Sequence, residues 1–211
     1  MKKGTPDEIA IQEMVYTRKG VERVIRYAYE LCRKRNDLRK LTLVDKANAC
    51  RAQDIWTRAF AEVGREYPDI TQDHGYVDAT CAWFVKTPEF YDTIVTTNLF
   101  GDIITDLGAA IQGGMGIAAS GNIHPGRVSM FEPIHGSAPK YAGKNAANPM
   151  ATINAVAMML EYVGEATAAK AIDGAISALL TSGRVRSLSA GVHTTSEIGD
   201  WTVEEVRRRG R

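Results

Sequence analysis

The sequence predicts an α/β fold, a layered sheet with flanking helices. Strand-like and helix-like hydrophobic periods alternate along most of the 211 residues, which points to strands joined by helices. The apolar β-type run Tyr91-Asp92-Thr93-Ile94-Val95-Thr96-Thr97 passes straight into a helical pattern from Leu99. Such a joint sets the first turn of a helix at the carboxyl edge of a sheet, where α/β proteins bind ligands. Hydrophobic residues make up 45% of the chain, enough for one large or two small cores.

The elements follow in order. Val21, Val24, Ile25, Ala28, Leu31 and Cys32 recur at helical spacing, and Arg33-Lys34-Arg35 suits a last turn, where cations offset the helix dipole. Leu41-Thr42-Leu43-Val44 reads as a strand. Ile55, Trp56, Ala59, Phe60 and Val63 mark a helix that stops near Gly64 and Pro68. Residues 69–73 form a weak strand candidate and 77–85 a helix, before the strand at 91–97 and the helix carrying Asp102 and Asp106. After Gly113-Gly114 the stretch to Gly126 is rich in Gly, Ala, Ser and Asn, and reads as loop with a short strand. Val128-Ser129-Met130-Phe131 is a further short strand candidate. A helix over 149–163 has Asn148 as N-cap, Pro149 at its first position and Gly164 as its stop. Residues 166–180 read as helix, and Thr194-Thr195-Ser196-Glu197 opens the last one with a capping box from Thr194 to Glu197.

Composition narrows the function classes. A formal net charge of +1 gives no reason to invoke nucleic acid or an anionic membrane as partner. Arg207-Arg208-Arg209 with Arg211 reads as a solvated helix end. Cys32, Cys50 and Cys81 are unpaired in spacing and sit in apolar helical contexts, which fits reduced cytoplasmic thiols better than disulfides or zinc ligands. The stretch Met1-Lys2-Lys3-Gly4-Thr5-Pro6-Asp7-Glu8 lacks the apolar core of a signal peptide, and no run approaches transmembrane length. A cytoplasmic location is expected.

Chemistry concentrates in two places. In Asn98-Leu99-Phe100-Gly101-Asp102-Ile103-Ile104-Thr105-Asp106 two carboxylates stand one helical turn apart, with Cβ atoms roughly 5–6 Å from each other. Like charges so placed repel, so the pair is either well solvated or holds a cation. Oxygen-only ligands suit a hard ion such as Mg²⁺ or Mn²⁺. The second place is Phe131-Glu132-Pro133-Ile134-His135-Gly136-Ser137-Ala138-Pro139-Lys140-Tyr141-Ala142-Gly143-Lys144, a polar loop punctuated by glycine that leads to Asn148-Pro149 and an apolar helix. It lacks Gly-x-Gly-x-x-Gly spacing, but a loop ending at a helix N-terminus can donate backbone N–H groups to a nucleotide. A plain surface loop is the alternative.

Together with Val44-Asp45-Lys46-Ala47-Asn48, Tyr76-Val77-Asp78-Ala79 and Met158-Met159-Leu160-Glu161, these segments resemble, in order, the isocitrate/isopropylmalate dehydrogenase family of β-decarboxylating dehydrogenases. The Gly113-Gly114-Met115-Gly116-Ile117-Ala118 stretch looks closest to the isopropylmalate branch. The resemblance implies an isopropylmalate dehydrogenase-like layered sheet. Residues 1–112 would belong to the family's second, dimer-forming domain with its metal ligands and catalytic lysine, and 113–211 to the C-terminal returning half of the cofactor-binding domain. Family members are substantially longer. The expectation is a C-terminal portion without the first part of the fold, the arginines that grip the substrate carboxylates, the substrate-selecting helix and a catalytic tyrosine. Little turnover is expected of this chain by itself.

Oxidising a secondary alcohol by hydride transfer needs a base for the hydroxyl proton and an electrophile for the alkoxide. Loss of CO₂ from the resulting β-keto acid leaves an enolate that also needs stabilising. By resemblance, Asp102 and Asp106 match the family's ligands for Mg²⁺ or Mn²⁺, and Asp78 a third ligand from the neighbouring subunit of a homodimer with shared active sites. Lys46 matches the catalytic lysine, also contributed across the dimer. Lys46 and Asp78 are thus the catalytic candidates, and Lys46 and Asn48 the substrate-binding ones. A lysine is a poor base at its reference value of about 10.4, and a nearby dication with partial desolvation is what makes one usable.

Glu132, His135, Gly136, Ser137, Ala138 and Asn148 match the loop that embraces the nicotinamide cofactor. Where NAD-using members carry Asp this chain has Lys140, and Lys140-Tyr141 is similar to the pair with which NADP-dependent isocitrate dehydrogenases hold the 2′-phosphate. Arg184 and Arg186 lie in the region of the family's further contacts. The cofactor expectation is NAD(P), leaning to NADP. The implied function is oxidative decarboxylation of a small-molecule 2-hydroxy acid, 3-isopropylmalate first, with isocitrate, homoisocitrate and tartrate as alternatives. A noncatalytic regulatory or remnant subunit is the reading from another class. Structural roles compete at each position: Asp78 as a helix cap, Asp45–Lys46 as a surface pair, Asn48 as a turn residue, His135 as a satisfied loop histidine.

Overall fold

The structure, a computed structural model, describes residues 1–124 and 126–209; Arg211 of the basic tail lies outside them. It divides into two compact units, Met1–Leu107 and Gly108–Arg211. Among the described residues no helix is long and apolar enough to cross a membrane.

The first unit contains α1 (Arg18–Arg35), β1 (Lys40–Asp45), α2 (Asp54–Gly64), β2 (Thr71–Tyr76), α3 (Val77–Lys86), β3 (Thr93–Thr96) and the start of α4 (Asn98–Ile111). The strands form a parallel sheet in the order β2-β1-β3. Alternation along β1 sends Leu41 and Leu43 into a cluster with Val21, Ile25 and Tyr29 of α1 and with Trp56, Phe60 and Val63 of α2. Val44 points the other way, to Phe84 of α3 and Ile104 of α4. Both faces of the sheet are thereby covered, as parallel sheets require. Tyr29 is fully buried and stacks on Phe60 and Tyr67 at centroid distances of 5.5 and 4.6 Å.

Local chemistry sets the ends of α1. The Thr17 side chain accepts the Gly20 N–H at its start, and Asn36 takes the left-handed conformation at its end, φ 51°, which Asn tolerates better than most residues. Ion pairs Arg18–Glu62, Arg26–Glu66 and Arg33–Asp69 tie α1 to α2 and the turn after it. Strand β2 lies at 71–76, where the sequence suggested 69–73. Thr-Gln-Asp-His-Gly-Tyr has no apolar alternation, and its extended form comes from register with β1, from Lys40↔Thr71 to Asp45↔Tyr76.

The second unit pairs β4 (Ala119–Asn122) antiparallel with β5 (Met130–Pro133), followed by α5 (Met150–Tyr162), α6 (Ala166–Thr181) and α7 (Thr195–Arg209). Met150, Ile176, Leu179, Val185 and Ile198 form its core. Strand β5 starts two residues later than the 128–131 candidate, because its partners run from Asn122↔Met130 to Ala119↔Pro133. Helix α5 starts at Met150, with Pro149 just outside it, yet Asn148 Oδ1 still accepts the Met150 N–H at 2.9 Å. At the other end Gly164 has φ 94°, its N–H donates to Glu161 O, and the Glu165 N–H donates to Leu160 O at 2.8 Å. That is a Schellman stop, and it explains the glycine. The capping box is present: the Thr194 N–H donates to Glu197 Oε2 at 2.8 Å and the Glu197 N–H to Thr194 Oγ1 at 3.1 Å.

Candidate active site

Because the three strands of the first unit are parallel, their carboxyl ends leave one edge of the sheet. Lys46 follows β1, Asp78 stands in the first turn of α3 directly after β2, and α4 begins two residues after β3. Lys46 Nζ lies 2.7 Å from Asp78 Oδ1. The same ammonium is 5.8 Å from the centre of the Tyr76 ring, within range of a cation–π contact. The hydrogen bond from Lys46 holds the Asp78 carboxyl below the usual carboxylate range, aided by backbone N–H groups at Asp78 and Ala79. Asp78 stands in the first turn of its helix, whose N-cap is Tyr76 with no side-chain capping bond, and it pairs with the lysine.

The lysine stands on a tightly bonded turn. The N–H groups of Ala49 and Cys50 both donate to Lys46 O, at 2.9 and 2.7 Å. The Lys46 N–H donates to Gln53 Oε1 at 2.6 Å, and the Ala47 N–H to Asp45 Oδ1 at 3.0 Å. Asp45 is fully buried and faces His74, whose Nε2 is 3.0 Å from Asp45 Oδ2. The suggested Asp45–Lys46 surface pair is thus replaced by two separate pairs, because the side chains of successive residues at a strand end point to opposite sides. Asn48 is exposed on the turn.

Asp102 and Asp106 share one face of α4, both exposed. Among the described residues neither carboxylate has a hydrogen bond or an ion pair. Gly101 lets the helix approach the sheet closely: a Cβ there would come within 3.1 Å of Thr96 Cγ2. Two unpartnered carboxylates one turn apart are a donor set suited to a hard dication. Among the described residues, however, no three His, Cys, Asp or Glu side chains of one chain gather as a metal site. Asp78 does not join Asp102 and Asp106 within the protomer.

In the second unit the polar loop leaves β5 with Glu132 exposed, its Oε1 accepting from Asn122 Nδ2 at 3.5 Å. His135 Nδ1 lies 2.9 Å from Gly136 O. Gly136 and Ser137 are exposed, and Ala138 takes a left-handed conformation, φ 44°, before a short 3₁₀ turn, Pro139–Tyr141. A non-glycine residue held there is under strain. The Lys140 ammonium is exposed, 4.8 Å from the centre of the Tyr141 ring. Asn148 is already used twice, capping α5 and donating through Nδ2 to Leu188 O at 3.1 Å. Arg184 pairs with Glu204 at 2.7 Å and lies over Trp201. Arg186 lines an open cavity of about 570 Å³ with Gly113, Gly114, Met115 and Leu188.

Sequence patterns passed over Gln53 and His74. Gln53 falls just ahead of the apolar series of α2, and His74 lies on a strand without alternation, so only the fold brings them to Lys46.

A family model described as isocitrate/isopropylmalate dehydrogenase matches residues 1–201. The 3-isopropylmalate dehydrogenase of Thermobifida fusca is 50% identical over 213 aligned residues, which cover 100% of this chain and 59% of that protein. The 3-isopropylmalate dehydrogenase of Frankia casuarinae is 49% identical over 183 residues, 85% of this chain and 53% of the relative. Among solved structures, isocitrate dehydrogenase from Methylococcus capsulatus matches with a TM-score of 0.85 and 42% identity, covering 92% of this chain and 57% of the other. A β-decarboxylating dehydrogenase from Thermococcus kodakarensis gives the same TM-score at 31% identity, covering 97% and 60%. The chain spans little more than half the length of these relatives.

Proposed function

The chain belongs to the isocitrate/isopropylmalate dehydrogenase family, and from that premise we propose that it supplies acid–base, metal-binding and cofactor-binding groups for metal-dependent oxidative decarboxylation of a 2-hydroxy acid, 3-isopropylmalate by preference. The observation that carries this reading is the Lys46–Asp78 pair at 2.7 Å on the carboxyl edge of the sheet. An amine and a carboxylate there, with two unpartnered carboxylates on the helix after β3, are the groups that proton transfer and dication binding require.

In this reading Asp102 and Asp106 of one protomer and Asp78 of the partner subunit hold Mg²⁺ or Mn²⁺. When bound, such an ion would supply Lewis-acid stabilisation of negative charge developing on the substrate. Lys46, acting across the same dimer, would take the hydroxyl proton at Nζ once it is the neutral amine, and a nicotinamide, when bound, would supply the hydride acceptor. A carboxylate committed to a dication holds an ammonium less tightly, so Asp78 can both anchor Lys46 and release it. Asn48, exposed on the same turn, contacts substrate. Glu132, His135, Gly136, Ser137, Ala138 and Asn148 of the second unit bind the cofactor. The cation at Lys140, beside Tyr141, favours a 2′-phosphate and hence NADP, with Arg186 as a further cation.

The test is absorbance at 340 nm with Mg²⁺ or Mn²⁺, NAD⁺ or NADP⁺, and each of 3-isopropylmalate, isocitrate, homoisocitrate and tartrate. The chain is assayed alone and fused behind the N-terminal portion of the Thermobifida fusca relative. The expected result is little turnover alone and metal-dependent reduction in the fusion that Lys46→Met abolishes. A folded, dimeric fusion with no turnover on any of the four acids contradicts the proposal.

A further inference from the structure

Two polar side chains outside the proposed catalytic set, Gln53 and Asp45, accept from the backbone that presents Lys46, and a third, His74, stands beside Asp45. Gln53 is fully buried, and its Oε1 accepts the Lys46 N–H at 2.6 Å. Asp45 is fully buried, and its Oδ1 accepts the Ala47 N–H at 3.0 Å. His74 Nε2 stands 3.0 Å from the other oxygen of Asp45, an ion pair whenever the imidazole is doubly protonated. The His74 ring meets the Tyr76 ring edge-on at 5.3 Å, and Tyr76 in turn lies under the Lys46 ammonium at 5.8 Å. Burying a carboxylate and an amide is costly unless each is used: Gln53 Oε1 and Asp45 Oδ1 are spent on the residues at and beside the lysine, while Asp45 Oδ2 is buried without a hydrogen bond, with the His74 ring 3.0 Å away.

We propose that Gln53, Asp45 and His74 are positioning residues for Lys46. Gln53 and Asp45 fix the turn from below, His74 holds Asp45 in place, and the lysine amine is thereby aimed at Asp78. The inference rests on the functional reading only in giving Lys46 a chemical task. The buried carboxylate is short enough to fix one rotamer, so the backbone of Lys46 is set before any ligand arrives.

The test reads the amine directly and needs no turnover, so failure of the dehydrogenase assay leaves it intact. The purified chain is acylated with a limiting N-hydroxysuccinimide acetate, and the rate at Lys46 is followed by peptide mass spectrometry against exposed Lys170 on α6. An amine held against a carboxylate reacts slowly. Gln53→Leu and His74→Leu should speed acylation of Lys46 by about threefold or more, the size expected for loss of one modest hydrogen bond, with Lys170 unchanged. Gln53→Glu, which keeps the acceptor, and His74→Gln, which keeps a donor, should return the rate towards that of the parent chain. Circular dichroism reports whether each variant folds, and if Gln53→Leu does not, the partly exposed His74 decides through its own pair. Unchanged Lys46 rates in the folded leucine variants overturn the proposal. So does equal acceleration at Lys170, which marks general loosening, or failure of both conservative variants to restore the rate.

Discussion

Replacing Asp102 by Asn should move stability in opposite directions with and without metal. Asp102 and Asp106 lie one turn apart on α4, and among the described residues neither carboxylate has a partner. Like charges so spaced destabilise a helix by about 0.2–0.5 kcal/mol. Neutralising one should therefore raise the melting temperature of the metal-free chain by roughly 1 °C, given about 2–4 °C per kcal/mol for a protein of this size. With Mn²⁺ at a hundred times its dissociation constant, binding to the native state adds about 2.7 kcal/mol to the parent chain, or roughly 5–11 °C. Asp102→Asn should lose most of that gain. Thermal melts by circular dichroism, with and without Mn²⁺ and with Ca²⁺ and Na⁺ as controls, measure both effects. A metal-free variant clearly less stable than its parent, or one that keeps the full Mn²⁺ shift, refutes the idea that these carboxylates are kept for an ion.

Other outcomes are expected from the packing and capping. Tyr29→Ala empties a fully buried position stacked on Phe60 and Tyr67, and should cost about 3–5 kcal/mol in urea unfolding. Tyr29→Phe should cost under about 1 kcal/mol, because the hydroxyl reaches Phe60 O at the long distance of 3.5 Å. Thr194→Ala removes the capping oxygen from the Glu197 N–H and should cost about 1 kcal/mol, with hydrogen exchange in the first turn of α7 rising most. Glu66 and Asp69 are held below the usual carboxylate range by hydrogen bonds from Arg26 and Arg33. A carboxylate depressed in the folded state adds stability above its unfolded value and loses it as pH falls through the folded one. The melting temperature should therefore drop below about pH 4, and Arg26→Gln should make the drop smaller.

Elements whose periodicity is local are legible in the amino-acid sequence alone. Helices α1, α3, α5 and α6 lie within a few residues of their apolar series, and the Thr194–Glu197 box and Gly164 stop rest on contacts inside one turn. Strand β2 is displaced from its expected place because its polar residues are extended only by pairing with β1. The site divides in the same way. Asp102 and Asp106 are readable from spacing, because helical geometry alone puts them on one face. The Lys46–Asp78 contact joins two motifs separated by a helix and a strand, and only the parallel sheet brings them together. Gln53 and His74 carry no motif at all, and the burial of the one and the direction of both are properties of the assembled unit.

The most direct test of the proposed dimer site is a crystal structure of the protein soaked in Mn²⁺, read by anomalous scattering. The expected result is one peak about 2.0–2.4 Å from carboxylate oxygens of Asp102 and Asp106, with Asp78 of the partner subunit completing the set and the Lys46 amine beside it. A dimer in which Asp78 lies remote from the opposing Asp102 and Asp106, or a Mn²⁺ peak away from all three, contradicts the proposed site.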